Sequence, residues 1–381
     1  GEHSDNSNNV SAEFYCNNDV LNYDNWDWID TTPSGTYYCV AWNALNRGSI
    51  SGSKWNDLNG DGHWGEGESS IEGWEITLSG NEQELETTTD KNGQYTFGDL
   101  LPGEYTICEV GQEGWIQTYP NGDPQCHDIA ITPGDDEEGV DFGNFQLGKI
   151  SGNKWNDING NGENEEESAL SNWQIVLGKK TLVNSVNVPA DSVNPVDLGT
   201  FVSGNTYVVE AEGTYEAGDS ITADAECSTR LASPWNTFVS NYEYLGEGLL
   251  DLRLDNNPAT EWSACNTATH TYHKVVAGDD ASHAVNLYDT FPSNNTGSLT
   301  VNVYQLADVQ TDITDGEDGA YSFENLTAGE YLVCEVQQEG WLQTAPLPGC
   351  HTIAVTSGTD TTAQFANFEL GSITVQKYAD D

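Results

Sequence analysis

The chain repeats itself, and the second copy is interrupted. "ISGSKWNDLNGDG" from Ile50 returns as "ISGNKWNDINGNG" from Ile150, and "IEGWEITL" (71–78) returns as "LSNWQIVL" (170–177). "GQYTFGDLLPGEYTICEVGQEGWIQTYP" (93–120) returns as "GAYSFENLTAGEYLVCEVQQEGWLQTAP" (319–346), and "VDFGNFQLGKI" (140–150) as "AQFANFELGSI" (363–373). Self-similarity of this kind marks a module used twice. The chain is read as a first module over 48–148 and a second over 149–178 and 309–371. An insert occupies 179–308, an incomplete β segment 1–47, and a short C-terminal stretch 372–381.

The module alternates rather than repeating every 3.6 residues. Tyr105, Ile107 and Glu109 fall on one face of a strand and Cys108 on the other, and "GWEITL" and "DIAIT" read as short strands between Gly, Pro and Asp. With 39 Gly, 12 Trp, 17 Tyr and no Met, the composition suits strands joined by tight turns. Short strands with frequent turns predict a β-sandwich. Into this pattern falls "DLNGDGHWGEGE", Asp57 to Glu68, which fits the twelve-residue calcium-loop template. It follows a strand, so a helix–loop–helix sensor is not expected.

A hard cation takes six to eight oxygens from a sharply turning loop. Asp57, Asn59, Asp61 and Glu68 offer side-chain oxygens, Gly62 permits the turn, and His63 offers its carbonyl. In the second copy Asp157, Asn159 and Asn161 match, but the twelfth position is Ser168, so Glu167 or Glu166 has to serve. The expected cofactor is Ca2+ in a structural role. "DKNGQY" (90–95) and "DGEDGAY" (315–321) read as hairpin turns.

Charge narrows the partners. With 62 acidic residues against 11 basic ones, net −51, neither nucleic acid nor an anionic membrane surface is an expected partner. No apolar run approaches the roughly 18 residues of a membrane span. The eight Cys fall in neighbouring pairs, Cys16 with Cys39, Cys108 with Cys126, Cys227 with Cys265 and Cys334 with Cys350, none in CxxC spacing. They predict four disulfides and an oxidising, extracellular location. A start at Gly1 without Met suggests a processed, exported product.

Alternation also puts three polar residues on core faces. Lys54 falls in line with Ile50 and Gly52, Glu109 with Tyr105 and Ile107, and Asn144 with Val140 and Phe142. The second copy repeats this with Lys154, Glu335 and Asn367. A lone buried charge is costly, so these groups are expected to meet. A hydrogen-bonded cluster, or a Lys that snorkels outward, is the plain alternative.

The repeated residues, "SGxKW-D-NGNG", "GW-I-L", "G-Y-F--L-PGEY", the following "GW" and "FGNF", resemble the B-type repeat domains of bacterial surface proteins, the collagen-adhesin B and serine–aspartate-repeat B families. The resemblance covers 48–178 and 309–371. It implies an all-β architecture of tandem Greek-key, immunoglobulin-like sandwiches, seven strands each, used as a rod or stalk and often stiffened by calcium. In some members Lys, Glu and Asn meeting in an apolar core form an intramolecular isopeptide bond. That implies Lys54 and Lys154 as nucleophiles, Glu109 and Glu335 as proton shuttles, and Asn144 and Asn367 as the amides attacked.

The insert has strands of its own, such as "GLLDLRLD" (248–255) and "SLTVNVYQL" (298–306). "ADAEC" (223–227), "HTYHKVVAG" (270–278) and "YDTFPSNNTGSLTVNV" (288–303) resemble calcium-dependent galactose-binding lectins built as small jelly rolls. The resemblance implies a calcium held by Asp289, Asn294 and Asn295 and touching sugar hydroxyls. Tyr215, or Trp262 beside the site, is a candidate to stack on a sugar face, with a Trp in the strand core as the plain alternative. The interval between the Asp and the Asn pair is shorter than in sugar-binding members, a departure that bears on sugar binding more than on fold.

At the C-terminus "GSITVQKYADD" aligns with "GKISGNKWND", so Lys377 matches Lys154 and a further module begins. "YYCVAWNALNRGSI" (37–50) resembles the close of a module, with Asn43 near the Asn144 position and Glu13 as a candidate partner. The expectation is that the C-terminal strand of one subunit completes the N-terminal segment of the next, with Lys377 and Asn43 as intersubunit candidates; a piece clipped from a longer adhesin is the alternative. No catalytic motif is present. The expected function is a structural subunit of a surface filament with copies of itself as partner, and the alternative is an adhesin binding cell-surface or matrix glycans.

Overall fold

The computed structural model describes residues 10–17, 38–218, 220–230, 235–237, 251–256, 264–289 and 292–371. Apart from the single 3-10 turn Pro292–Asn294, the regular structure in these residues is all β. No helix among them is long and apolar enough to cross a membrane. The chain divides into two compact units, Gly1–Gln146 and Leu147–Asp381.

In the first unit, Gly48–Asn56 is the centre of one sheet. It pairs antiparallel with Gln94–Leu100 and parallel with Asp136–Glu137 and Phe142–Gln146, and the last of these pairs with Trp115–Tyr119. The facing sheet runs Gln83–Thr88, Glu75–Gly80, Gly103–Glu109, His127–Ile131. Nine strand pieces stand where seven are expected, in part because the last strand is broken into Asp136–Glu137 and Phe142–Gln146. Ile50, Trp74, Ile76, Phe97, Ile107 and Phe142 fill the space between the sheets. The Gly that both copies of "SGxKW" share has a steric cause: a Cβ on Gly52 would lie 1.8 Å from the Val140 carbonyl oxygen, so the first strand meets the last only without a side chain there. Ahead of this sandwich, Val10–Asn17 and Tyr38–Leu45 form a two-stranded antiparallel sheet, with Cys16 opposite Cys39 in register.

The second unit repeats the first sheet. Gly148–Asn156 pairs with Ala320–Leu326 and, in parallel, with Asp360–Thr362 and Phe365–Glu369, which pairs with Trp341–Ala345. The facing sheet shows where the insert enters. In the first copy Glu75–Gly80 and Gln83–Thr88 form a hairpin closed at Asn81 and Glu82, both at left-handed φ (47° and 61°), as a tight hairpin turn requires. In the second copy the corresponding strands run on as Gln174–Pro189 and Thr296–Ile313 and stay paired along their length, with two bulges. The insert therefore grows from the tip of a hairpin, which lengthens a sheet without disturbing the sandwich behind it. The change of domain falls inside two continuous strands.

The insert has its own core. The extended ladder continues through Thr206–Glu212 and Thr271–Ala277, and a second sheet of Val196–Phe201, Ala281–Tyr288 and Asp251–Leu254 carries the facing side chains. Leu198, Phe201, Val209, Tyr272, Leu287 and Val301 are among its buried residues. Val208 and Leu306 of the insert pack with Val176, Leu332, Cys334 and Cys350 of the sandwich in one apolar cluster, so this unit is a single packed body.

Candidate functional site

Each sandwich buries a Lys, a Glu and an Asn together. Alternation directs Lys54 inward with Ile50, and the parallel register that sets Asn56 against Asn144 brings the last strand alongside. Lys54 Nζ donates to Glu109 Oε2 at 2.7 Å and to Asn144 Oδ1, and Asn144 Nδ2 donates to Glu109 Oε1 at 2.6 Å. In the second sandwich Lys154 Nζ donates to Glu335 Oε2 and, at 2.5 Å, to Asn367 Oδ1, while Asn367 Nδ2 donates to Glu335 Oε1 at 2.7 Å. Both Lys residues are wholly buried, and the Glu side chains are 3% and 1% exposed. Each Nζ lies over an indole, Trp74 at 4.4 Å and Trp173 at 4.0 Å. These tryptophans were not singled out from sequence, although both sit at the same place in "GWEITL" and "NWQIVL".

Burial sets the protonation of these groups. It pulls the Lys54 ammonium down to about 8 against the opposing attraction of Glu109, and pulls Lys154 down likewise. Burial pushes Glu109 and Glu335 above the usual carboxylate range, outweighing the Lys and the Asn hydrogen bonds. Both shifts favour a neutral amine beside a neutral acid. The amide oxygen faces the amine and the amide nitrogen is held by the carboxyl group.

The two acidic loops are organised alike. Asp57, fully buried, accepts the backbone N–H of Gly60 (2.7 Å) and Asp61 (3.2 Å) on Oδ1 and of Gly62 (2.8 Å) on Oδ2. Asp61 accepts the N–H of His63 at 2.8 Å, and that bond with the one from Asn59 holds its carboxyl below the usual range. Glu68 closes the loop on the N–H of Leu58 (2.9 Å) and Gly65 (2.8 Å). In the second loop Asp157 accepts from Gly160 (2.7 Å), Asn161 (3.1 Å) and Gly162 (2.7 Å), and Asn159 Oδ1 from Asn161 (2.9 Å). Glu167 Oε1 accepts from Ile158 at 2.8 Å, the place Glu68 has in the first loop. Of the two alternatives read from sequence, Glu167 rather than Glu166 closes the second loop. Its Oε2 is a buried oxygen without a partner, which suits an oxygen-seeking cation. Each loop is tied to a Lys–Glu–Asn centre, because Asp57 N–H donates to the Asn144 carbonyl (2.8 Å) and Asp157 N–H to that of Asn367 (2.9 Å).

In the insert, Asp289 and Asn295 are buried together. Asn295 Nδ2 donates to Asp289 Oδ2 at 2.8 Å and to the Ala190 carbonyl at 2.9 Å, leaving Asn295 Oδ1 buried and unpartnered. Asn294 is exposed. Tyr215 is 2% exposed within the core and cannot stack on a sugar, which corrects that expectation; Trp262 lies outside the described residues. Among the described residues disulfides join Cys108–Cys126, Cys227–Cys265 and Cys334–Cys350. Lys377 lies outside the described residues, as do the side chains of Cys16, Cys39, Glu13 and Asn43; by backbone register Asn43 stands opposite Ala12 and Glu13 opposite Trp42.

The repeated module has known relatives. The family model of the SdrD B-like domain matches residues 48–138. Serine-aspartate repeat-containing protein F of Staphylococcus epidermidis is 25% identical over 77% of this chain and 17% of its own length. Serine-aspartate repeat-containing protein D of Staphylococcus aureus is 26% identical over 82% of this chain and 23% of its own. Colossin-A of Dictyostelium discoideum is 26% identical over 75% of this chain and 2% of its own. The chain thus spans less than a quarter of each of these relatives. Among solved structures, the shaft pilin SpaA of Lactobacillus rhamnosus GG overlaps 86% of this chain and 100% of its own at 11% identity and a TM-score of 0.23, too low to carry an argument.

These are tandem all-β repeats of a surface-protein class. The chain carries B-type repeat domains of bacterial surface proteins, the first matched directly and the second by its repetition of the same residues, and its place is extracellular or at the cell surface.

Proposed function

We propose that the chain is a load-bearing structural segment of a surface filament or stalk, in which Lys54 joins Asn144 and Lys154 joins Asn367 through isopeptide bonds. The observation that carries this reading is the recurrence of the buried Lys–Glu–Asn centre between the first and last strands of both sandwiches. Force enters a sandwich through its first strand and leaves through its last. A covalent bond between these two strands carries tension that the sheet's hydrogen bonds would otherwise bear.

The neutral Lys amine attacks Asn Cγ. The Glu carries the proton lost by Nζ to Nδ2, the Cγ–Nδ2 bond breaks, and ammonia leaves. Calcium in the loops at Asp57–Glu68 and Asp157–Glu167 stiffens the end of each sandwich next to this bond. Assembly is head to tail by strand addition: residues 372–381 repeat the opening strand of a module, and the sheet of Val10–Asn17 and Tyr38–Leu45 pairs with no third strand among the described residues.

Intact mass of the denatured protein, before and after reduction, tests the bonds. Two ammonia losses beyond the disulfide hydrogens are expected, and the full sequence mass less disulfide hydrogens alone ends the proposal. End-to-end assembly by a chain truncated after Gly371 would refute strand donation. A second reading, calcium-dependent glycan binding by the insert, is favoured by the orphaned Asn295 oxygen beside Asp289. Glycan binding that persists in chelator or in Asp289→Ala would exclude it.

A further inference from the structure

The second Lys–Glu–Asn centre differs from the first in what covers it. Glu335-Val336-Gln337 stands where the first copy has Glu109-Val110-Gly111, and Gly349 precedes Cys350 where Gln125 precedes Cys126. Both changes fall where the insert meets the sandwich. A Cβ on Gly349 would lie 2.9 Å from the His273 carbonyl oxygen, and Ala264 N–H donates to the Gln343 carbonyl at 2.8 Å. Val336 is half-buried here, whereas Val110 is 39% exposed.

This contact forms a partly open pocket of about 110 Å³ whose lining includes Glu335, Gln337, Gln343 and Gly349 from the sandwich and His273 and Lys274 from the insert. A small molecule such as water occupies about 30 Å³ in the liquid, so the space admits a few. Two lining side chains carry buried atoms that no protein group uses, His273 Nδ1 and Gln337 Oε1. Their other polar atoms are engaged. His273 Nε2 lies 2.8 Å from Glu210 Oε2, and Gln337 Nε2 donates to the Trp341 carbonyl at 2.6 Å. Glu210 also accepts from Asn302 (3.0 Å) and Tyr304 (3.1 Å). These bonds, the one from His273 foremost, override burial and hold Glu210 at about 2. In the tautomer whose Nε2–H donates to Glu210, Nδ1 is an acceptor. Two buried, unused polar atoms lining a pocket beside Glu335 suit a small N–H donor.

We propose that this pocket receives the ammonia expelled from Asn367, with His273 Nδ1 and Gln337 Oε1 as positioning acceptors, so that the insert takes part in forming the second cross-link. This rests on the isopeptide reading above. The Lys154 Nζ–Asn367 Cγ bond forms and the Cγ–Nδ2 bond breaks. The proton lost by Nζ passes through Glu335 to Nδ2, and neutral ammonia enters the pocket as a donor to both acceptors. No electrons or net protons are exchanged with solvent. The first centre has no insert against it and releases its ammonia without such a chamber.

The test uses the full chain, made by cell-free synthesis under oxidising conditions and quenched in acid at intervals. Mass spectrometry quantifies the Lys54–Asn144 and Lys154–Asn367 cross-linked peptides, the first serving as an internal clock. His273→Ala and Gln337→Gly are each expected to slow the second bond roughly tenfold relative to the first, the effect of one hydrogen bond. Gln337→Gly restores the residue of the first copy and so preserves the fold. His273→Gln, which retains an acceptor, is expected to recover most of the rate. An unchanged ratio in both slowing variants overturns the proposal, as does equal slowing by His273→Ala and His273→Gln, which is a packing effect. Absence of both peptides from the wild type refutes the isopeptide reading, and this inference with it; both peptides at the wild-type ratio in every variant refute only the chamber.

Discussion

Replacing Lys54 with Met removes the nucleophile of the first centre, fills much of its volume, and leaves Asn144 bonded to Glu109. Lys54 and Asn144 are 90 positions apart, so the lost bond would have closed most of the sandwich into one loop. On the loop-entropy relation used for disulfides, such a closure is worth roughly 4.6 kcal/mol. For a domain of about 100 residues, about 4–8 °C of melting temperature accompanies each kcal/mol, so the first sandwich should melt roughly 20–35 °C lower. Single-molecule stretching isolates the effect from packing. With Cys108–Cys126 reduced, the wild-type sandwich should yield no length between Lys54 and Asn144. The Lys54→Met chain should release about 300 Å as it unfolds, at ~3.5 Å per residue. The second sandwich, with its own centre, serves as control and should be unaffected. If wild type and variant melt within a few degrees of each other and release the same length, the covalent account is wrong and the centre is only a buried hydrogen-bonded cluster.

Calcium and the cross-link should be coupled through the Asp57–Asn144 and Asp157–Asn367 backbone bonds. Chelation is expected to lower both sandwich transitions by several degrees in calorimetry and to slow formation of both cross-linked peptides; unchanged transitions would count against the cation loops. Glu167→Ala should weaken calcium binding at the second loop as Glu68→Ala does at the first, read by isothermal titration, whereas Glu166→Ala should not. His283 sits between Asp255 (2.7 Å) and Asp279 (3.1 Å) with Phe201 against its ring. Burial disfavours its charged form, but the two carboxylates prevail and raise its pKa above the ordinary value. A raised folded-state pKa gives stability that is fully present below about 6.5 and is lost as pH rises through the folded value. The insert should therefore melt lower as pH rises above about 6.5, and His283→Gln should flatten that dependence.

Much of this protein could be read from its residues because a strand writes its burial into a period of two. Ile50, Gly52 and Lys54 fall on one face in the sequence and are buried together in the fold, and the same alternation puts Glu109 and Asn144 on core faces. The two acidic loops were equally open to reading, since Asp57, Asn59, Asp61 and Glu68 fall at the fixed intervals of one tight turn and the second copy repeats most of them. What the period could not supply was distance. That Lys54 and Lys154 each meet a Glu and an Asn at hydrogen-bond range depends on parallel pairing of the first and last strands, a contact between segments about 90 positions apart in one copy and over 200 in the other. The choice of Glu167 over Glu166 depended on which carboxylate could reach the Ile158 N–H. The removal of Tyr215 into a core, and the seam that sets His273 beside Glu335, arise from packing between elements that share no local pattern. Sequence determined which residues face inward; only the tertiary structure decided which of them touch, because side-chain contact across sheets is fixed by register and sheet packing rather than by neighbours along the chain.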